Sequence, residues 1–203
     1  QDKNFDQLWK EVSAFEKKSL PKSALEVVDK IYSKAKSEKR SDQLIKCILY
    51  KAKLLSLFDD KEPSSYIMDF EDELDSFDSD NARAIMHSIL GELYHRYGIG
   101  NAGRFRNRSF DTNDSLLLRF ESLEEIQLKS LWHYRKSVEL ASRTPLSEFS
   151  NLFNEYEMTD WAIEASDLFE FILFRAIKHY GQSNSFVSMP KDRFVLNDSI
   201  LFT

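Results

Sequence analysis

Apolar residues recur along this chain at intervals of three and four, the period of an α-helix, almost from its first residue. Phe5, Leu8, Trp9, Val12 and Phe15 make the first stripe, with Asn4 or Asp6 available as N-cap and Lys17-Lys18 at the end where the helix dipole favours cations. Leu20-Pro21 interrupts the pattern, and Pro21 suits the first turn of a second helix striped by Leu25, Val28, Ile31, Tyr32 and Ala35. Ser41 or Asp42 caps a third helix carrying Leu44, Ile45, Ile48, Leu49, Ala52, Leu55 and Phe58. Residues 59–80 hold ten acidic side chains and one lysine, yet Tyr66, Ile67, Phe70, Leu74 and Phe77 keep helical spacing beneath that charge. Asp80 and Asn81 can cap the next helix, predicted over Ala82–Tyr97 and ended by Gly98.

Residues 98–118 are the longest stretch predicted to be irregular. Periodicity resumes with Leu123, Ile126, Leu128, Leu131, Trp132, Tyr134, Val138 and Leu140, ends near Ser142, and is broken by Thr144-Pro145. Phe149, Leu152, Phe153, Tyr156 and Met158 form an aromatic connector. Thr159 or Asp160 then caps a last helix, predicted over Trp161–Tyr180 and closed by Gly181. Within it, Phe169, Ile172, Leu173, Ala176, Ile177 and Tyr180 fall on one face, and Phe171 and Phe174 on another. A helix apolar on two sides is packed from two sides, so this one is expected at the centre. After Gln182 the chain is rich in Ser and Asn, then carries Phe194-Val195-Leu196 and Ile200-Leu201-Phe202, which read as an extended tail or the first strand of a following domain.

The fold expected is all-α: about seven helices in a TPR-like array of antiparallel hairpins over 1–182, with a short extended tail over 183–203. Leu8, Val12, Phe15, Ala24, Val28 and Ile31 sit at the relative spacings of tetratricopeptide packing positions. Val12 stands where that repeat has a small residue, and no clear second copy follows about 34 residues on, so a hairpin array is expected rather than a regular repeat.

Composition narrows the functional classes. The chain has 203 residues, enough for one large or two small domains, and only five Gly and four Pro, too few for a fold of many short strands and tight turns. The net charge of −6 argues against general nucleic-acid affinity, which needs a basic surface. Cys47 is the only cysteine, so no intrachain disulfide or cysteine-based zinc site can form, and its helical register predicts a buried, inert thiol. No apolar run reaches the ~18–20 residues that span a bilayer. The start lacks a basic segment followed by an apolar one, which fits a cytoplasmic protein or a mature form with its signal removed.

Candidate chemistry is sparse. Gly98, Gly100 and Gly103 match the intervals of a dinucleotide fingerprint, but a helix precedes them where a strand is required, so they are taken as a helix stop and a flexible turn. Arg104, Arg106 and Arg108, interleaved with Phe105, form the only basic cluster; it can grip an anionic partner, or pair with the acidic 59–80 face. Glu92-x-x-His95 is half of a di-iron bundle signature, with no second copy. Asp78-Ser79-Asp80 opens like a calcium loop without its glycine or terminal glutamate. No nucleophile elbow, phosphate-binding loop or Cys–His pair is present. Trp132, Tyr134, Phe149 and Tyr156 can line a groove or fill the core. The residues therefore assign no catalytic, metal or cofactor position. They leave three readings: an interaction scaffold, a module binding a peptide or glycan through those aromatics, and a helical metal protein built on Glu92 and His95.

Three stretches together resemble the N-terminal helical region of large alpha-2-macroglobulin-like proteins of Bacteroides-type bacteria: LPKSALEVVDKIYSKAKSE (Leu20–Glu38) with QLIKCILYKAKLL (Gln43–Leu55), ILGELYHRY (Ile89–Tyr97) leading into RFRNRS, and DLFEFILFRAIKHY (Asp167–Tyr180). The resemblance implies a periplasmic or cell-surface protein, lipid-anchored, whose later domains trap proteases. This chain has no thioester motif and no bait segment. Its implied role is a non-catalytic N-terminal platform, monomeric, without cofactor, that docks its own downstream macroglobulin domains or another envelope protein through Arg104, Arg106, Arg108, Trp132, Tyr134, Phe149 and Tyr156.

Overall fold

The computed structural model describes residues 3–55, 57, 63–107, 122–149, 152 and 165–183, without the side chains of 63–65, 106–107 and 182–183. Among these, seven α-helices and two 3₁₀ turns are present and no strand: α1 (Phe5–Lys17), α2 (Pro21–Ser37), α3 (Ser41–Leu55), α4 (Pro63–Asp72), a 3₁₀ turn (Glu73–Ser76), α5 (Asp80–Asn107), α6 (Leu123–Leu140), a second 3₁₀ turn (Leu146–Phe149) and α7 (Leu168–Ser183). The all-α expectation holds. Residue 108, Tyr156, the 159–164 segment and the 184–203 tail lie outside the described residues.

The first two connections are built alike. Asn4 caps α1 reciprocally: its Oδ1 accepts from Gln7 N at 2.9 Å while Gln7 Oε1 accepts from Asn4 N at 3.1 Å. At the other end of α1, Ser19 N donates to Glu16 O and Leu20 N to Phe15 O, with Ser19 at φ 54°. After α2 the same pair recurs, Lys39 N to Lys36 O and Arg40 N to Ala35 O, with Lys39 at φ 52°. Both are Schellman turns with a left-handed residue, a position that glycine fills most easily, occupied here by serine and lysine. Pro21 takes the first position of α2 as predicted. Such short turns return the chain antiparallel, and Leu8, Val12, Ala24, Val28 and Ile31 are all buried between the helices together with Val27, Cys47 and Leu54. Of the predicted packing set, Phe15 is only partly buried at the edge.

The centre of the molecule is α5, not the last helix. At 28 residues it is about 40 Å long, and α3, α4, α6 and α7 all pack on it. Ser79 Oγ caps it by accepting from Ala82 N at 3.1 Å. The predicted stop at Gly98 does not occur: α5 runs through Gly98, Gly100 and Gly103 to Asn107, and no glycine has a positive φ. A helix-ending glycine acts by adopting the left-handed conformation, and Gly98 instead stays helical because α6 lies against it; a Cβ there would stand 3.2 Å from Ile126 Cγ2 and Leu123 Cδ1. The interface with α6 is tighter still at Gly91, where a Cβ would come within 2.7 Å of Tyr134 Cδ2.

The last helix is corrected in extent and in facing. Ala165, Ser166 and Asp167 are not helical, and Asp167 rather than Thr159 or Asp160 caps α7, its Oδ1 accepting from Glu170 N at 2.8 Å. The start is fixed by the segment after α6: Leu168 N donates to Thr144 O at 2.9 Å, Leu146 N to Ser166 O at 3.3 Å, and Arg143 Nη1 to Asp167 Oδ2 at 3.1 Å. Leu168, Phe171, Ile172, Ala176 and His179 are buried, one stripe shared between α5 and α6. Ile177 and Tyr180, expected on the buried face, are 57% and 46% exposed.

Candidate functional site

Trp132 and Tyr134, both expected on one partner-binding surface, lie on opposite sides of α6. Trp132 on α6 is 44% exposed, but Tyr134, two residues on and about 200° around the helix, is 4% exposed and stacks against the Gly91 backbone and the His179 ring. Burial pushes the Tyr134 hydroxyl up to about 12, as for a phenol removed from water. Tyr134 is therefore a packing residue. Phe149 ends the second 3₁₀ turn, partly buried against the core. Arg104 lies in the last turns of α5 rather than in a loop; the Arg106 side chain, Arg108 and Tyr156 lie outside the described residues. In the acidic 59–80 segment, Glu73 pairs with Lys36 and Glu71 with Lys129.

What the helices do bring together is every histidine of the chain. The four histidines are His87, His95, His133 and His179. They come from α5 (His87 and His95, eight residues apart and so on one side of the helix), α6 (His133) and α7 (His179). His87, His133 and His179 are 7%, 0% and 4% exposed. Nothing in the linear spacing announces the cluster, because three helices supply it. The signal that could have found it is the registry of His87 and His95 on a helix otherwise apolar along that side.

At one end of this seam the Nδ1 atoms of His87 and His133 are 2.9 Å apart. One of the two rings must donate there and the other accept. Glu71 Oε1 stands 3.5 Å from His133 Nε2, too far for a hydrogen bond but near enough to favour the tautomer with its proton on Nε2. His133 Nδ1 is then the acceptor and His87 Nδ1 the donor. Glu71 also accepts from Tyr94 Oη at 2.6 Å and is paired with Lys129. Burial would raise its carboxyl, but the His133 ring, Lys129 and Tyr94 together hold it well below the usual carboxylate range. Tyr94 stacks on His133 with centroids 5.4 Å apart, and Trp132 meets both His87 and His133 edge-on.

At the other end, Ser130 Oγ donates to Gly91 O at 2.6 Å and lies 3.3 Å from His179 Nε2. The serine's one proton is committed to the carbonyl, so His179 Nε2 carries the proton and donates to Ser130 Oγ. Tyr134 stacks on His179 at 4.4 Å, and His95 meets it edge-on at 4.4 Å. Glu92, the partner of His95 in the metal reading, is instead held by Arg96 and by Arg175 Nη2 at 2.6 Å, while Arg175 Nε reaches Ser88 Oγ at 2.9 Å. Burial lowers all four imidazoles, His87 and His179 to about 4. For His87 the adjacent His133 and the Lys136 and Lys129 charges add to that effect. These histidines are neutral near pH 7; one imidazole hydrogen bond joins α5 to α6 and another joins α7 to α6.

Among the described residues no group of three or more His, Cys, Asp or Glu is placed to hold a metal ion, and no helix is long and apolar enough to cross a membrane. Ser130 has the form of a nucleophile–base pair with His179, but it is fully buried and its proton is spent on a backbone carbonyl. Cys47 is fully buried, and desolvation pushes its thiol up to about 12. No protein-family model, curated protein or solved structure matches the chain.

Proposed function

We infer that this chain is a non-catalytic helical interaction region, and that its docking elements are the outer stripes of α6 and α7. The observation that carries this reading is the exposure of large apolar side chains at helical spacing: Leu128 and Trp132 on α6 are 58% and 44% exposed, and Ile177 and Tyr180 on α7 are 57% and 46% exposed. Single exposed apolar residues are ordinary on a protein surface, whereas paired turns of them mark contact surfaces. The inert cysteine and the committed serine support a role without covalent chemistry. The repeated glycine-free Schellman turns support a TPR-like hairpin arrangement over α1–α3.

The parent protein we propose is an alpha-2-macroglobulin-like envelope protein, with α7 as the junction to its β domains. The test is titration calorimetry of the purified chain against the protein segment that its gene encodes after Thr203, expressed separately. Micromolar binding that weakens about tenfold, or ~1.4 kcal/mol, on Ile177→Asp is expected. Absence of binding at saturating concentrations overturns the docking role. A gene with no macroglobulin β domains overturns the parentage and leaves the docking surface to be tested against other envelope proteins.

A further inference from the structure

We propose that the histidine seam is a proton-operated latch: the α5–α6–α7 half of the molecule is held closed by imidazole hydrogen bonds that acid cancels, while the α1–α3 half does not respond. The geometry sets the rule. Two Nδ1 atoms 2.9 Å apart share one proton. A first added proton, on either ring, still leaves one donor and one acceptor at the Nδ1 contact, so the His87–His133 bond survives. A second puts two N–H groups face to face at that contact, on rings only 7% and 0% exposed. The other end behaves differently. His179 already donates through Nε2 to Ser130 Oγ, so its added proton goes to Nδ1, with the edge of His95 beside the ring.

The groups facing these rings determine how strongly protonation is opposed. From α6, Lys129 opposes a positive charge on both His87 and His133 and Lys136 one on His87, while from α4 Glu71 favours a charge on either ring. Around His179, His95 opposes and Glu92 favours a positive charge, but Glu92 is already shared between Arg96 and Arg175. The α3 helix meets this core through apolar Leu44, Ile45 and Ile48. One carboxylate at each end, each already matched by cations, leaves the added protons uncompensated. The imidazole values near 4 agree with that balance. No histidine occurs in α1–α3, so the response has no counterpart there.

The test is amide hydrogen exchange of the full chain at pH 7 and near pH 4.5, corrected for the intrinsic pH dependence of exchange. Expected is an acceleration of about tenfold or more in α6, α7 and the Ser88–Tyr97 turns of α5, one pKa unit of differential proton binding being worth a factor of ten, with α1 and α2 unchanged. His87→Asn keeps a donor near the Nδ1 position and cannot titrate, and His179→Gln does the same near Nε2. The double variant should keep its protection at pH 4.5. Should these variants fail to fold, imidazole resonances of the wild-type chain decide: titration well below 6.5 with broadening at the His87 and His133 rings is expected. Ordinary titration near 6.5, uniform loss of protection in all helices, or an acid response unchanged in the double variant would each overturn the latch.

Discussion

The two halves of this molecule are held together by different physics. Between α1, α2 and α3 the interior is made of Leu8, Val12, Ala24, Val27, Val28, Ile31, Cys47 and Leu54, with no buried charge. Between α5, α6 and α7 the interior mixes Leu90, Ile126, Leu168 and Ile172 with three buried histidines, Ser88, Ser130 and Ser137. Apolar burial is non-directional and tolerates small shifts. A polar seam is directional, and each member left unpartnered costs its desolvation. The first half is therefore specified mainly by volume, with one buried amide, Gln43, accepting from Trp9 Nε1 at 2.7 Å, and the second by geometry and protonation.

The largest effect that separates them is a cavity. Ile31→Ala should cost about 2–5 kcal/mol by chemical denaturation, and the loss should be the same at pH 7 and pH 5, since Cys47 in that cluster stays a protonated thiol across this range. A pH-dependent penalty would show that the halves are not independent.

Next is Gly91→Ala, which drives a methyl into the Tyr134 ring at the tightest point of the α5–α6 contact. A loss of about 1–3 kcal/mol is expected from overpacking, accompanied by slower recovery of His179 resonances to their native positions on refolding. A neutral substitution would mean that α6 can retreat without cost.

The pH profile of stability should also divide the halves. The folded pKa values of His87 and His179 lie below that of free histidine, so the unfolded chain binds more protons through this range. Stability contributed by the seam is complete above about 6.5. It falls as pH drops from there toward 4 and levels off below, where Glu71 and other low-titrating carboxylates take over the acid response. Urea midpoints between pH 7 and pH 4 check this. A flat profile would contradict buried neutral histidines.

The smallest effects are stabilising. Gly100→Ala places a methyl where nothing lies within 4 Å, in the middle of a helix, and should add up to ~1 kcal/mol. Lys39→Gly relieves a left-handed residue at the α2–α3 turn and should add about 0.5–1 kcal/mol. If either is neutral, the local strain is being absorbed elsewhere.

These contrasts explain what could be read in advance. The stripes of α1, α2 and α3 were legible because each helix buries one apolar face against its neighbour in sequence, and Asn4 and Pro21 act locally. The run of α5 past Gly98 was not legible, since the local glycine signal loses to packing against Leu123 and Ile126, which are distant in sequence. Apolar periodicity runs on through Trp161, whereas the Asp167 cap and the hydrogen bond from Leu168 N to Thr144 O set the start of α7. The histidine seam escaped for the same reason: its chemistry is written across three helices, and no interval in the sequence carries it.

Cys47 gives this two-part construction a built-in clock. It is the chain's sole thiol, it sits fully buried in the dry half, and its pKa near 12 leaves almost no thiolate at neutral pH while the fold is closed. A thiol reagent can therefore mark a molecule only during the moments when α1–α3 comes apart. The labelling rate times the opening of the packing around Cys47.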